Sequence, residues 1–239
     1  MTVEVTDEVK DLSVQLAGLS AGERIRALAD RFPGQILAST SFGLQAAVML
    51  KLIKEYAPEI PVIFIDTGYL FDETYRYAVE LEDRIDIHAE VYRSKWSPAW
   101  QEAVHGKLWE QGAEGLGKYS LLNKVEPMDR ALKDYGAKIW LSGLRRSQSK
   151  TRKDRPFVEQ QTKTLKAYPI LDWGDEEVET YFEEHQLPRH PLADEYVTMG
   201  DWHSTVKKEE AVSGEETRFG GEKYECGLHL NSGVQDFQI

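Results

Sequence analysis

The chain has 239 residues, of which 41% are hydrophobic, and its formal net charge is −12. This length and apolar content predict one large or two small domains with a substantial core. The acidic charge argues against nucleic acid or an anionic membrane as a partner, because both require a positively charged surface.

The chain contains one cysteine, Cys226, and no apolar run of the roughly 20 residues that cross a bilayer. Residues 1–5 lack the basic and then apolar character of a signal peptide. We therefore expect a cytoplasmic protein that folds without disulfides. One thiol cannot form a cysteine cluster, and the six histidines show no ligand spacing with acids, so we expect no metal site.

Helical and strand patterns alternate along the chain. A capping box at residues 20–23 opens the first helical pattern, and the helical patterns together cover residues 20–32, 44–56, 73–84 and 175–185. The strand patterns cover residues 35–38, 61–65, about 85–92, 138–142 and 165–171. This alternation predicts an α/β fold with a doubly wound, mostly parallel sheet that binds ligands at the carboxyl ends of its strands.

Two polar loops follow predicted strands. The first loop contains Ser39, Thr40, Ser41, Phe42 and Gly43 and precedes a helix, where free backbone N–H groups and the helix dipole attract phosphate or sulfate. An ordinary Ser or Thr helix cap fits this local pattern equally well. The second loop begins at Asp66 and can hold a base or ribose, although a plain strand-to-helix turn also explains it.

A basic segment follows the predicted strand that ends near Gly143. It places six cations and one carboxylate within residues 144–155 of an acidic protein. Arg145 and Arg146 suit bidentate contacts with phosphate or sulfate oxygens. The segment predicts a site for a small, highly charged nucleotide, and a solvated run of charges is the alternative.

Cys226 follows a segment rich in Gly, Glu and Lys without apolar periodicity, and His229 comes three residues later. His229 can lie on the same helical face and stabilise the thiolate, which is the reactive form of cysteine. We interpret Cys226 as a nucleophile, and a small buried apolar residue is the alternative.

Five motifs in this order resemble those of the phosphoadenylyl-sulfate (PAPS) reductases: STSFGLQAA at 39–47, DTGYLF at 66–71, KVEPM at 124–128, GLRRSQS at 143–149 and ECGLH at 225–229. The resemblance implies an adenine-nucleotide α-hydrolase-like fold of the PP-loop type, a homodimer, and reduced thioredoxin or glutaredoxin as electron donor. It implies the reduction of PAPS to sulfite in assimilatory sulfate reduction and cysteine biosynthesis.

The similar adenylyl-sulfate (APS) reductases carry an iron–sulfur cluster on four cysteines. The matching positions in this chain are Tyr119, Ser120, Asp201 and Ser204. Because these side chains cannot replace four thiolates, we expect no cluster and no other bound cofactor. The resemblance then favours PAPS as the substrate.

The resemblance also implies roles for individual residues. Lys124, Arg218 and His229 match positions near the reacting group, beside the nucleophile Cys226. The 39–43 loop would bind the phosphosulfate together with Arg145 and Arg146, and the main chain at Ile65 and Gly143 would hold the adenosine, next to Asp66. Arg152, Lys153 and Arg155 are candidates for the 3′-phosphate. We expect residues 1–203 to form the nucleotide-binding domain and residues 204–239 to form a mobile segment that closes over the nucleotide.

Three other functions stay open at this point. The first is APS reduction without a cluster. The second is an ATP pyrophosphatase of the PP-loop type, although the 39–43 loop lacks the Ser-Gly-Gly-x-Asp-Ser pattern of those enzymes. The third is a nucleotide sensor or RNA-binding module, which would have no need of a reactive thiol.

Overall fold

The computed structural model describes residues 6–162 and 164–210. These residues form eight α-helices: α1 Asp7–Ala17, α2 Ala21–Arg31, α3 Ala46–Tyr56, α4 Asp72–Ile85, α5 Pro98–His105, α6 Gly112–Ser120, α7 Glu126–Asp134 and α8 Asp175–Glu184. They also form six strands: β1 Ile36–Thr40, β2 Val62–Asp66, β3 Ala89–Arg93, β4 Ile139–Leu141, β5 Val158–Gln160 and β6 Leu165–Ala167. A π-helical turn, Leu121–Val125, joins α6 to α7.

The six strands form one sheet in the order β3-β2-β1-β4-β6-β5. All neighbours are parallel except β5, which runs antiparallel to β6 at the edge. The chain winds outward from β1 to β2 and β3, and then returns to the other side of β1 to form β4. The predicted doubly wound α/β fold is confirmed, and its topological switch point lies between β1 and β4.

Both faces of the sheet are covered, which is why its central strands are nearly continuous apolar runs. On one face, a large core joins the sheet to α1, α2, α3, α4 and α8. On the other face, Leu37 and Ile63 pack with Met128 and Ala131 of α7. Within the described residues, none of the helices combines the length and the apolar content of a membrane-spanning segment.

The predicted elements agree best with the structure at the centre of the sheet. The capping box is confirmed, because the Ser20 N–H donates to Glu23 Oε2 at 2.8 Å and the Glu23 N–H donates to Ser20 Oγ at 3.4 Å. The predicted strand at 85–92 is wrong at its start. Helix α4 continues to the buried Ile85, and Asp86 then ends it with a φ of 53°. The strand pattern at 165–171 is confirmed only for its first three residues, and β5 was missed.

The buried His190 gives a prediction about stability. Its Nδ1 accepts the Leu192 N–H at 3.1 Å, so Nε2 carries the hydrogen and donates to Thr74 Oγ1 at 3.1 Å. Burial lowers the pKa of His190 to about 4. The unfolded chain therefore binds a proton below about pH 6.5 while the folded chain does not, and the free energy of unfolding falls as pH drops from 6.5 toward 4. The loss is at most about 1.4 kcal/mol per pH unit, and less where water screens the ring.

Denaturant unfolding between pH 7 and pH 4.5 measures this loss. We expect His190→Gln to reduce the slope of the unfolding free energy against pH, by an amount that corresponds to at most one bound proton. The control is His88→Gln, since the His88 side chain is 83% exposed. Equal slopes in the wild type and His190→Gln would contradict the prediction.

Candidate active site

The carboxyl ends of three neighbouring strands place the predicted loops side by side. Residue Thr40 of β1 pairs with Phe64 of β2, and Ala38 of β1 pairs with Leu141 of β4. The predicted start of the 39–43 loop is wrong, because Ser39 and Thr40 are the last two residues of β1. The rest of the 39–43 loop leaves the sheet between the loop after β2 and the loop after β4. This is the position at which open α/β sheets bind ligands.

Side chains and a strained backbone fix the shape of the 39–43 loop. Ser39 Oγ accepts the indole N–H of Trp140 at 2.8 Å, and Thr40 Oγ1 accepts the Phe42 N–H at 3.1 Å. Phe42 has a φ of 47°, which is unusual for a bulky residue, and its buried ring contacts Phe64 edge-on. The loop is thus held by the sheet beneath it, while Ser41 is exposed.

Helix α3 begins at Ala46, two residues later than predicted, and its N-cap is Gln45. The Gln45 side chain makes no capping hydrogen bond within the described residues. The alternative of an ordinary Ser or Thr cap is therefore wrong. The N-terminus of α3 keeps its partial positive charge directly after the 39–43 loop, as an anion site requires.

The loop after β2 is a tight turn. Asp66 Oδ1 accepts the Gly68 N–H and the Tyr75 hydroxyl, both at 2.8 Å. Gly68 has a φ of 75°, and a Cβ atom there would lie 2.5 Å from Cγ of Pro98. The Asp66 side chain thus holds the turn, and Ile65 ends the buried part of β2.

Gly143 lies directly after β4 and Ser142, on the other side of the 39–43 loop. A Cβ atom at this position would lie 2.8 Å from Cγ of Met49 in α3. A glycine therefore allows α3 to approach the strand end closely. The main chain at Gly143 is exposed, as a main-chain contact with a ligand would need.

The arginines of the basic segment contact the rest of the structure, whereas Lys150 and Lys153 are exposed. Arg145 is 2% exposed, and its Nη2 donates to Gln45 Oε1 at 2.7 Å and to Asp175 Oδ1 at 2.9 Å. It thus joins the N-termini of α3 and α8. The solvated-run alternative is wrong for Arg145 and for Arg152, which is 8% exposed.

The other arginines of this segment also make internal contacts. Arg146 donates to the Arg155 carbonyl from Nε and Nη2, and its guanidinium lies 5.0 Å from the Phe157 ring centroid. Arg152 Nη1 donates to Gln148 Oε1 at 2.8 Å, and Gln148 Nε2 donates to Gln45 Oε1 at 3.3 Å. Lys153 is exposed. Hydrogen bonds therefore connect two buried arginines of the segment to the N-cap of α3.

Lys124 lies in the π-helical turn and is buried. Its Nζ is 2.6 Å from Asp201 Oδ2, and Thr67 Oγ1 donates to Asp201 Oδ1 at 2.5 Å. Burial raises the pKa of Asp201, but the Lys124 ammonium and these hydrogen bonds lower it more. The net pKa is below the ordinary value for Asp, so the carboxyl group stays ionised. Tyr119 and Ser204 contact these two residues, since Lys124 Nζ lies 5.6 Å from the Tyr119 ring centroid and Ser204 Oγ donates to the Asp201 carbonyl.

Sequence reasoning did not assign a role to Thr67 or to the Asp201 carboxylate. Thr67 lies in the 66–71 motif after a predicted strand, and Asp201 was considered only as a position that lacks a cluster cysteine. No local pattern connects the two, since Asp201 is 77 residues from its partner Lys124. Three predicted catalytic residues, Cys226, His229 and Arg218, lie outside the described residues. Within residues 6–162 and 164–210, no three His, Cys, Asp or Glu side chains come together in a way that could hold a metal ion.

Comparison with known proteins gives consistent matches. A family model described as the phosphoadenosine phosphosulfate reductase domain matches residues 35–207. The chain is 52% identical over 216 residues to a phosphoadenosine 5′-phosphosulfate reductase of Zymomonas mobilis, covering 90% of this chain and 88% of that protein. It is 47% identical over 237 residues to the one of Vibrio parahaemolyticus, covering 98% of this chain and 92% of that protein.

Solved structures show the same relationship. A PAPS reductase from Candida auris, crystallised as a phosphate complex, has a TM-score of 0.74 and 31% identity, covering 86% of this chain and all of that chain (100%). An FMN adenylyltransferase from Candida glabrata has a TM-score of 0.58 at 13% identity, covering 86% of this chain and 69% of that chain. The second likeness concerns the fold alone.

Proposed function

The chain belongs to the phosphoadenosine phosphosulfate reductase family, and we propose that it reduces PAPS to sulfite and adenosine 3′,5′-bisphosphate. The observation that supports this most is 52% identity across 88% of a reductase of that name. The uncapped N-terminus of α3 beside the 39–43 loop adds physical support, because it suits an anionic phosphosulfate.

The proposed reaction has two steps. The Cys226 thiolate attacks the sulfur of the sulfuryl group, so an S–S bond forms and the S–O bond to the phosphate breaks. Adenosine 3′,5′-bisphosphate leaves with that electron pair, and a cysteine S-sulfonate stays on the enzyme. A donor thiolate then attacks Cys226 Sγ, sulfite leaves with the S–S electron pair, and the second donor thiol resolves the mixed disulfide to free Cys226. The donor is thereby oxidised to a disulfide, and we propose reduced thioredoxin or glutaredoxin for this role.

Electrostatics is the main contribution of the protein in this scheme. An anionic thiolate that approaches an anionic phosphosulfate is repelled, so cations near the reacting atoms lower the barrier. We assign this role to Lys124, Arg218 and His229. The 39–43 loop binds the phosphosulfate, and the main chain at Ile65 and Gly143, which flank that loop, holds the adenosine beside Asp66.

The basic segment contributes positive charge around the same loop. Arg145 and Arg152 connect to the N-cap of α3 through Gln45 and Gln148, so their charges reinforce the helix dipole at the anion site. Arg146 connects the two ends of the basic segment by donating to the Arg155 carbonyl. We propose Arg152, Lys153 and Arg155 for the 3′-phosphate.

The test is a sulfite-release assay with purified protein and reduced thioredoxin, run on PAPS and APS side by side. We expect sulfite from PAPS and much less from APS. Equal turnover of both substrates would replace the assignment with APS reduction, and release of pyrophosphate from ATP instead of sulfite from PAPS would replace it with PP-loop pyrophosphatase chemistry. We further propose a cytoplasmic homodimer that acts in sulfate assimilation.

The predicted closing segment, residues 204–239, lies largely outside the described residues. Its described start is attached to the rest of the structure, since Ser204 Oγ donates to the Asp201 carbonyl and the Lys208 N–H donates to the Glu195 carbonyl at 2.9 Å. We expect adenosine 3′,5′-bisphosphate to slow proteolysis within 211–239, measured by mass spectrometry of the fragments. Cleavage within 1–203 is the internal control, and equal cleavage of 211–239 with and without the nucleotide would contradict the prediction.

A further inference from the structure

The ion pair between Lys124 and Asp201 is almost completely removed from water. The two side chains are 8% and 1% exposed. Burying two charges is costly, and their attraction offsets this cost only where hydrogen bonds satisfy the remaining lone pairs. An ion pair of this kind is therefore weak evidence for stability, and its position calls for a functional explanation.

The second carboxylate oxygen of Asp201 is bound by an oriented hydroxyl. Thr67 Oγ1 donates to Asp201 Oδ1 at 2.5 Å and accepts the Tyr69 N–H at 3.2 Å. Because the backbone N–H can only donate, the Thr67 hydroxyl hydrogen points at Asp201. Thr67 directly follows β2, so this network lies at the carboxyl end of the sheet.

Main-chain contacts hold Asp201 in place independently of Lys124. The residue pairs with Leu70 in an antiparallel bridge, and the Trp202 N–H donates to the Tyr69 carbonyl at 2.8 Å. Its own carbonyl accepts the hydroxyls of Ser204 at 3.2 Å and Thr205 at 2.9 Å. The carboxylate is thus fixed by the backbone, whereas Lys124 reaches it on a flexible four-carbon chain. The π-helical turn that carries Lys124 is a feature often found at functional sites.

We propose that Asp201 is a positioning residue, which holds the Lys124 ammonium at the carboxyl end of β2 for the transfer of the sulfuryl group. The proposal rests on the proposed function, in which Lys124 neutralises the phosphosulfate. Without the Asp201 carboxylate, the Lys124 ammonium is no longer held at the carboxyl end of β2 and moves away from that position. Charge stabilisation at the reacting group is then lost, while the contacts that bind the nucleotide persist.

A double-mutant cycle tests this proposal. We expect Asp201→Asn to lower kcat with PAPS about tenfold or more and to change KM by less than about threefold, the pattern of an interaction made in the transition state. Lys124→Met is expected to lower kcat at least as much. The double variant should be no slower than Lys124→Met alone, because Asp201 acts through Lys124. A further loss of about tenfold in the double variant would overturn the proposal.

The control variant is Asp86→Asn. Asp86 also forms an ion pair with a lysine, since Lys54 Nζ lies 2.7 Å from Asp86 Oδ2, but the Asp86 side chain is 92% exposed. Asp86 follows α4 and precedes the amino end of β3, so it is at the opposite end of the sheet from the candidate site. We expect unchanged kcat and KM for this variant. If Asp201→Asn does not fold, Thr67→Val keeps the shape of the side chain and removes the hydroxyl, which donates to the carboxylate and accepts the Tyr69 N–H. It should lower kcat about threefold or more, and an unchanged kcat would overturn the proposal.

A second measurement does not depend on turnover. Acetylation of lysines by an amine reagent, followed by mass spectrometry, reports how well Lys124 is held and protected. We expect Asp201→Asn to raise the labelling rate of Lys124 about tenfold relative to Lys54, because the Lys124 amine no longer has the Asp201 carboxylate that holds it in place. Unchanged labelling would overturn the positioning role. A wild-type protein that releases no sulfite from PAPS would instead overturn the proposed function.

Discussion

Replacing Cys226 by serine is expected to abolish sulfite release and to leave the binding of adenosine 3′,5′-bisphosphate unchanged. Cys226 is the only cysteine of the chain, so the variant has no other thiol that could attack the sulfuryl group. A serine hydroxyl is almost fully protonated at neutral pH and is a far weaker nucleophile than a thiolate. We therefore expect turnover to fall by a factor on the order of a thousand or more.

Intact-mass spectrometry checks the chemical origin of this loss. Wild-type protein mixed with PAPS and no reductant should gain one SO₃ group, which reduced thioredoxin removes. The Cys226→Ser variant should gain none, while calorimetric titration with the bisphosphate gives the wild-type affinity. Retained sulfite release in the variant, or a wild-type protein that never forms the adduct, would remove the nucleophile assignment.

Replacing Arg145 by methionine is expected to destabilise the protein by about 3 kcal/mol, through the loss of hydrogen bonds to a charged group, and to weaken the binding of adenosine 3′,5′-bisphosphate. The buried guanidinium binds Gln45 at the start of α3 and the Trp173 carbonyl before α8. Methionine fills a similar volume but donates no hydrogen bond, so both groups lose a buried partner. The N-terminus of α3 then loses a nearby positive charge and its tie to α8.

Urea unfolding and calorimetric titration measure the two effects. Arg145→Lys separates charge from geometry, because an ammonium keeps the charge but cannot reach both partners as the planar guanidinium does. We expect it to recover part of the affinity and little of the stability. Arg76→Met is the control, since Arg76 lies in α4 with its side chain 69% exposed. An unfolding free energy equal to that of the wild type would refute the structural role of Arg145.

The centre of the sheet could be predicted from the sequence because parallel strands covered on both faces appear as continuous apolar runs. Strands β1, β2 and β4 are of this kind, and polar or glycine residues follow each of them directly. The edge strand β5 could not be predicted in this way, since only Val158 of its three residues is apolar. Its pairing with β6 is a tertiary contact that short segments do not encode.

The same distinction applies to the candidate site. The candidate residues of the 39–43 loop, Ile65, Asp66 and Gly143 lie at the carboxyl ends of strands or just after them. The topology alone brings such positions together at the switch point. Local sequence therefore determined the α/β fold class and the loops that meet at the carboxyl edge of the sheet. Whether a charged side chain is solvated or buried depends on what packs over it, and a run of arginines looks the same in either case.

Only the tertiary structure decided how the charges of this protein are used. Arg145 is buried because α3 and α8 both begin beside it, and Lys124 is paired because a segment 77 residues later brings Asp201 to the end of β2. No local pattern contains such a contact, since the energy of a buried ion pair depends on the distance between its two charges and on the exclusion of water around them.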